Sequence, residues 1–143
     1  EFVTGTAESG VPLNRAVASS CSVPGIYPPI TINGRRYIDG GMRSATNADL
    51  ARGSDVVLVV AVTTGAREPM AESSRRRLES ELAAIRDGGG EAILVQPDSA
   101  SQEAFGINLM DFGKRAGAAG AGYAQGKAEA ARIAELWNRP SWR

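Results

Sequence analysis

Val56 to Val62 form an unbroken apolar run, Val-Val-Leu-Val-Val-Ala-Val, inside a stretch from Asp55 to Thr64. No polar residue alternates with them, which predicts a fully buried strand in the middle of a parallel sheet. Downstream the period changes. Leu78, Leu82 and Ile85 share one stripe of a helix that Ser73 or Ser74 opens and that runs to about Arg86. Gly88-Gly89-Gly90 ends it. Ala92 to Val95 make a second buried strand, closed by Pro97. Strand, helix and strand in this order predict a βαβ unit with a right-handed crossover.

The first third of the chain carries weaker periodicity and stronger punctuation. Phe2 to Thr6 has the character of a strand end, followed by a polar turn at Glu8-Ser9-Gly10. Leu13, Ala16, Val17, Ser20 and Cys21 recur at helical spacing, and Pro24 stops that helix by fixing φ and removing a donor. Pro24, Gly25, Pro28 and Pro29 then predict an ordered, non-helical crossing. Ile30-Thr31-Ile32 and Arg36-Tyr37-Ile38 flank Asn33-Gly34, the pair a type I′ hairpin turn demands. The second hairpin strand leads into Asp39-Gly40-Gly41, and Thr46 or Asn47 is placed to cap a short helix ending near Gly53.

After the βαβ unit, Ala100 to Phe105 is a short helix candidate. A long helix from about Asp111 to Trp137 should turn Ala118, Tyr123, Ala130, Ile133 and Trp137 inward. Its first half holds Gly113, Gly117, Gly120, Gly122 and Gly126. Each costs up to about 1 kcal/mol against alanine, which predicts close packing or a break there. Two hairpin strands and one βαβ unit do not close a sheet of ordinary size. The expected fold is α/β and incomplete.

Composition removes whole classes of chemistry. The 143 residues contain no histidine, so Ser-His-Asp and Cys-His arrangements and most zinc and iron sites are excluded. No metal site or cofactor is expected. Sixteen basic residues balance sixteen acidic ones, leaving no global field toward nucleic acid, and Arg75-Arg76-Arg77 fits a solvated helix face. The single cysteine, Cys21, forms no internal disulfide and suits a reducing, cytoplasmic setting; its helix of small neighbours predicts a buried, inert thiol. No apolar run approaches the roughly 20 residues of a spanning helix.

Asp39 is the residue with chemical promise. It leaves a strand end, where α/β folds gather their chemistry, and two glycines follow that let another group approach closely. The plain structural alternative is an aspartate capping a turn. Ile26, Tyr27, Ile38 and Met42 are positioned in sequence to give it an apolar surround.

The stretch from Ala16 to Ala51 resembles the patatin-like phospholipase family. A helix ends in small residues, Ala-Ser-Ser-Cys-Ser, and meets Pro24, Tyr27 and Pro29 in a Pro-x-x-aromatic-x-Pro crossing. A hairpin then leads to Asp39-Gly40-Gly41, with Asn47 shortly after. Ser22 and Asp49 depart from the family's more usual alanine and proline. Pro97-Asp98-Ser99-Ala100-Ser101, Ala104-Phe105-Gly106 and the Ala/Gly-rich helix are similar to bacterial members, which extends the likeness over almost all of the chain.

The resemblance implies that residues 1–143 are the C-terminal portion of one patatin-like domain. That domain is a three-layer α/β/α fold with a mainly parallel sheet and a hairpin leading to the Asp-Gly-Gly turn. It implies a lipid acyl hydrolase in which Asp39, supported by Gly40 and Gly41, is the proton acceptor of a Ser-Asp dyad acting on a lipid or ester substrate. The family's Gly-x-Ser-x-Gly nucleophile motif does not occur in these residues; Ser9 in Ala7-Glu8-Ser9-Gly10 is the nearest miss. The serine and the glycine-rich oxyanion loop are therefore expected from a missing N-terminal half, and the isolated chain is expected to be inactive. Peripheral membrane contact and homodimerisation stay open. So do two other functions: a non-catalytic interaction module, and a nucleotide-binding domain holding phosphate near Thr63-Thr64-Gly65.

Overall fold

A computed structural model describes residues 9–62, 70–108 and 110–138. The expected strand at Phe2–Thr6 and the Thr63-Thr64-Gly65 segment lie outside the described residues. The chain divides into two compact units, residues 1–47 and 48–143.

In the first unit, helix α1 covers Leu13–Ser20. Cys21 is its C-cap, and the Ser22 hydroxyl donates to the Ala18 carbonyl at 2.7 Å, closing the last turn. None of the α1 side chains is buried. Cys21 is exposed, correcting the expectation of a buried thiol. It sits at the C-cap, where the helix has already ended. Strands β1 (Ile30–Ile32) and β2 (Arg35–Tyr37) pair antiparallel, Ile30 opposite Tyr37 and Ile32 opposite Arg35. Asn33 and Gly34 both have positive φ, 50° and 76°, as a type I′ turn requires. An Arg15 side-chain nitrogen donates to the Thr31 carbonyl at 2.5 Å, tying α1 to the hairpin.

In the second unit, β3 (Val56–Val60) and β4 (Glu91–Val95) pair in parallel, with Val56 beside Glu91 and Val60 beside Val95. Helix α2 (Met70–Asp87) connects them. It begins one turn earlier than Ser73 or Ser74 suggested. Leu78, Leu82 and Ile85 face inward as the sequence stripe predicted, packing with Ala48, Val59 and Ala61 into the core. Arg75, Arg76 and Arg77 are exposed. The helix ends at the glycine triplet, where Gly89 takes φ 89° and the Gly90 amide donates back to the Ile85 carbonyl. A Cβ on Gly90 would collide with the Ser54 carbonyl, so the chain passes there only as glycine.

The strand β3 departs from its sequence expectation. Val59 and Ala61 are buried, but Leu58, Val60 and Val62 on the opposite face are exposed. The residues suit a strand covered on both sides, while α2 and its neighbours cover one. The described residues form two separate two-stranded sheets rather than one layered sheet.

Helix α3 (Ser99–Phe105) is capped by Asp98, whose carboxylate accepts from the Ser101 amide at 2.7 Å. A 3₁₀ turn (Phe112–Lys114) leads into α4 (Arg115–Trp137). The expected inward side of α4 holds in part: Ala118 and Ile133 are half-buried, together with Ala121, Gln125 and Leu136, while Tyr123, Ala130 and Trp137 are exposed. Gln125 sets that rotation. Its amide donates to the Gln96 carbonyl at 2.6 Å and accepts from the Asp98 amide and the Ser101 hydroxyl. The glycines within α4 do not break it, and among the described residues a Cβ on Gly117, Gly120, Gly122 or Gly126 would meet nothing within 4 Å; only at Gly113, in the preceding turn, would it be tight, 3.2 Å from Asp111 Oδ1.

Candidate functional site

The hairpin of the first unit places Asp39 two residues beyond β2, at the entrance of a 3₁₀ turn, Gly40–Met42. Three backbone-level contacts hold it. The Asp39 amide donates to the Ser22 carbonyl at 3.0 Å, which anchors the residue to the exit of α1. Its own carbonyl accepts from the Met42 amide at 3.2 Å. Its carboxylate Oδ1 accepts from the Gly41 amide at 2.6 Å, a charge-assisted bond that fixes the side-chain rotamer. Among the described residues Oδ2 accepts no hydrogen bond. One carboxylate oxygen is thus oriented by the turn.

Gly41 answers to a specific steric need. A Cβ at this position would lie 2.9 Å from Asp39 Oδ1, so any larger residue pushes the carboxylate out of place. Gly40 contributes through its carbonyl, which accepts from the Arg43 amide and from the Asn47 side chain.

Asn47 is the residue whose role the sequence did not disclose. Spacing offers Thr46 or Asn47 as a helix cap, yet the Asn47 side chain turns back to the Gly40 and Ser44 carbonyls. The Nδ2 group donates to the Gly40 carbonyl at 3.1 Å and the Ser44 carbonyl at 2.8 Å, while Oδ1 accepts from Arg43 at 2.9 Å. This hold requires Asn47 to sit at φ 48°, a conformation asparagine tolerates better than most residues. Ser44, itself buried, accepts from the amides of Thr46 and Asn47 through its hydroxyl. Asn47 and Ser44 together close the loop that follows the Asp-Gly-Gly turn. The available signal was the run Ser44 to Asn47, since Ser and Asn both favour local side-chain-to-backbone bonds.

The apolar surround expected around Asp39 is not assembled. Ile26, Tyr27, Ile38 and Met42 are all exposed, and among the described residues of this unit the buried side chains are those of Ser22 and Ser44. Asp39 itself is half-buried. In the second unit a separate buried carboxylate, Glu81, accepts from the Ala48 amide at 3.0 Å and caps the 3₁₀ turn Ala48–Ala51 from α2. It lies within the core stripe, three residues after Leu78, and serves structure. No group of three or more potential metal ligands occurs among the described residues.

The hairpin thus delivers an aspartate with one carboxylate oxygen fixed by the turn that follows it. Residues 2–52 match the family model of patatin-like phospholipase, a family of lipid hydrolases. The match occupies the N-terminal part of this chain and includes α1, the hairpin, Asp39, Gly40, Gly41 and Asn47. It narrows the likeness read over nearly the whole sequence, because residues 53–143 lie outside it. No curated protein matches the chain. No helix among the described residues is long and apolar enough to cross a membrane.

Proposed function

We propose that this chain supplies the aspartate of a Ser-Asp dyad in a patatin-like lipid acyl hydrolase of three-layer α/β/α architecture, with the nucleophilic serine contributed from outside these residues. The supporting observation is the half-buried Asp39 carboxylate at the end of the hairpin, with Oδ1 bound to the Gly41 amide. In this reading Oδ2 accepts the proton of a serine hydroxyl as its oxygen attacks the ester carbonyl of a lipid. The alcohol leaves with a proton, and an acyl-serine remains. Water then attacks that ester, giving its proton to the same carboxylate, and the fatty acid and free serine are released.

Asp39 can act without histidine because a carboxylate held at hydrogen-bond distance is itself an acceptor. The charge developing on the carbonyl oxygen needs preorganised donors, worth about 3 kcal/mol each, and the glycine-rich loop of the family would provide them. Since Gly-x-Ser-x-Gly is absent from the 143 residues, the chain alone is inactive in this reading.

The test has two arms. A fluorophosphonate probe should leave the chain as a single unmodified species near 14.9 kDa, and nitrophenyl esters should not turn over. In a polypeptide that joins these residues to a Gly-x-Ser-x-Gly half, Asp39→Asn should lower kcat by roughly 10³-fold with little change in KM. Full turnover by Asp39→Asn, or ester hydrolysis by the 143 residues alone that Asp39→Ala abolishes, would sink the assignment.

A further inference from the structure

Arg43 stands at the end of the 3₁₀ turn that Asp39 opens, in helical conformation (φ −82°, ψ −50°), and is half-buried. Its backbone and its side chain serve the same loop. The Arg43 amide donates to the Gly40 carbonyl at 3.1 Å, and Nη1 donates to Asn47 Oδ1 at 2.9 Å. A guanidinium carries five N–H donors and no acceptor, so the Asn47 atom that meets it must be the oxygen. That orientation leaves Nδ2 for the other side, where the Gly40 and Ser44 carbonyls accept from it at 3.1 and 2.8 Å. The reversed amide would set donor against donor at Arg43 and oxygen against oxygen at both carbonyls. A cation on Oδ1 also polarises the amide, which strengthens what Nδ2 donates.

The Gly40 carbonyl matters because of the peptide bond it belongs to. Across that bond stands the Gly41 N–H, the donor that fixes Asp39 Oδ1 at 2.6 Å. Planarity makes the carbonyl and the N–H parts of one rigid plate. Asn47 holds one side of the plate, and the Asp39 carboxylate meets the other. Both residues of the plate are glycines, whose backbone torsions are the least restricted of any residue. Its tilt is therefore set by hydrogen bonds to neighbouring groups, and the Asn47 side chain supplies the one that reaches it from beyond the turn.

We infer that Arg43 is a positioning residue of the Asp39 site: by donating to Asn47 Oδ1 it holds the Gly40–Gly41 peptide plane with its N–H aimed at the Asp39 carboxylate. Arg43 acts through Asn47 and touches none of the reacting atoms. Its effect on the turn stands by itself, and its effect on turnover rests on the dyad reading.

The first measurement is amide exchange at Gly41 in the 143-residue chain. Arg43→Met keeps a side chain of similar reach and removes the donor, and it should lower protection at Gly41 about tenfold, the loss of one hydrogen bond to a charged group. Arg43→Lys returns a cationic donor and should restore most of that protection. In a chain that already carries Asn47→Gly, Arg43→Met should cause no further loss, because the two residues act in one line. Unchanged protection in Arg43→Met overturns the inference, and so does an equal loss in the Asn47→Gly background. The Ile85 amide of the second unit is the control. If it too loses protection in Arg43→Met, that chain has unfolded and Arg43→Lys decides: protection at Gly41 close to wild type supports the role, and its loss overturns it.

The second measurement uses the polypeptide that joins these residues to a Gly-x-Ser-x-Gly half. Arg43→Met should lower kcat about tenfold with KM little changed, as a tilted carboxylate would, and Arg43→Lys should recover most of the rate. Full turnover by Asp39→Asn would end the dyad reading and leave the exchange result standing. A rate that falls with Asp39→Asn but not with Arg43→Met would overturn the role of Arg43 alone.

Discussion

The two units of this chain are held together by different physics. Residues 9–47 bury only the side chains of Ser22 and Ser44, and their order comes from hydrogen bonds: Ser22 to Asp39, Gly41 to Asp39, Asn47 to Gly40 and Ser44. The second unit buries Val59, Ala61, Leu78, Leu82, Ile85 and Ile93, and its order comes from apolar packing. In the first unit a directional bond from the Gly41 amide fixes the Asp39 carboxylate without burying it. In the second, α2 keeps one side of the parallel strand pair dry.

The comparison can be broken most forcefully in the packed unit. Ile85 is 0% exposed and touches the strand pair from α2. Ile85→Ala should cost about 3–4 kcal/mol, since it removes buried methylenes and leaves a cavity. Urea denaturation followed by far-ultraviolet dichroism would measure it. A loss below 1 kcal/mol would mean that the second unit is not organised around this cluster.

The hydrogen-bonded unit should respond more weakly and more locally. Asn47→Ala removes the bonds to Gly40, Ser44 and Arg43 and forces alanine to φ 48°, which together cost about 2 kcal/mol. Asn47→Gly accepts that φ freely and loses only the side chain, so it should cost about half as much. The readout is amide exchange at Gly41 and Met42, which report the Asp-Gly-Gly turn directly. Equal protection in wild type and Asn47→Ala would show that Asn47 does not hold the turn.

These effects also mark how far the sequence could be read. Asn33-Gly34 announced its turn because the φ values it needs exclude almost every other pair, and Leu78, Leu82 and Ile85 announced their stripe because burial repeats with the helix. The likeness to the patatin-like family was legible through the order of uncommon residues from Pro24 to Asn47, which the family match over residues 2–52 includes. The direction of the Asn47 side chain was not, because it depends on a single backbone angle that spacing does not encode. The face of α4 was legible only in part. Ala118 and Ile133 are half-buried as expected, whereas Tyr123 and Trp137 are exposed, because three hydrogen bonds through Gln125 fix the helix rotation. Cys21 and the apolar residues around Asp39 looked buried by type. Burial depends on a partner surface, and composition cannot show whether one is there.

Strand β3 shows that dependence within two adjacent residues. Val59 is buried against Leu82 and Ile85, and Val60 points the other way and is exposed. Val→Thr keeps the shape and the β-branching and adds one hydroxyl, so its cost measures how dry each side is. At Val60 the hydroxyl stays in water, and the change should shift stability by no more than about 0.5 kcal/mol. At Val59 the same change places an unpaired hydroxyl in the core, which makes it the reference for a covered face. A Val60→Thr loss as large as that at Val59 would mean that this side of β3 is covered in solution. The apolar character of Leu58, Val60 and Val62 would then be explained by a surface that packs on it, and the exposed face would count as part of a larger core.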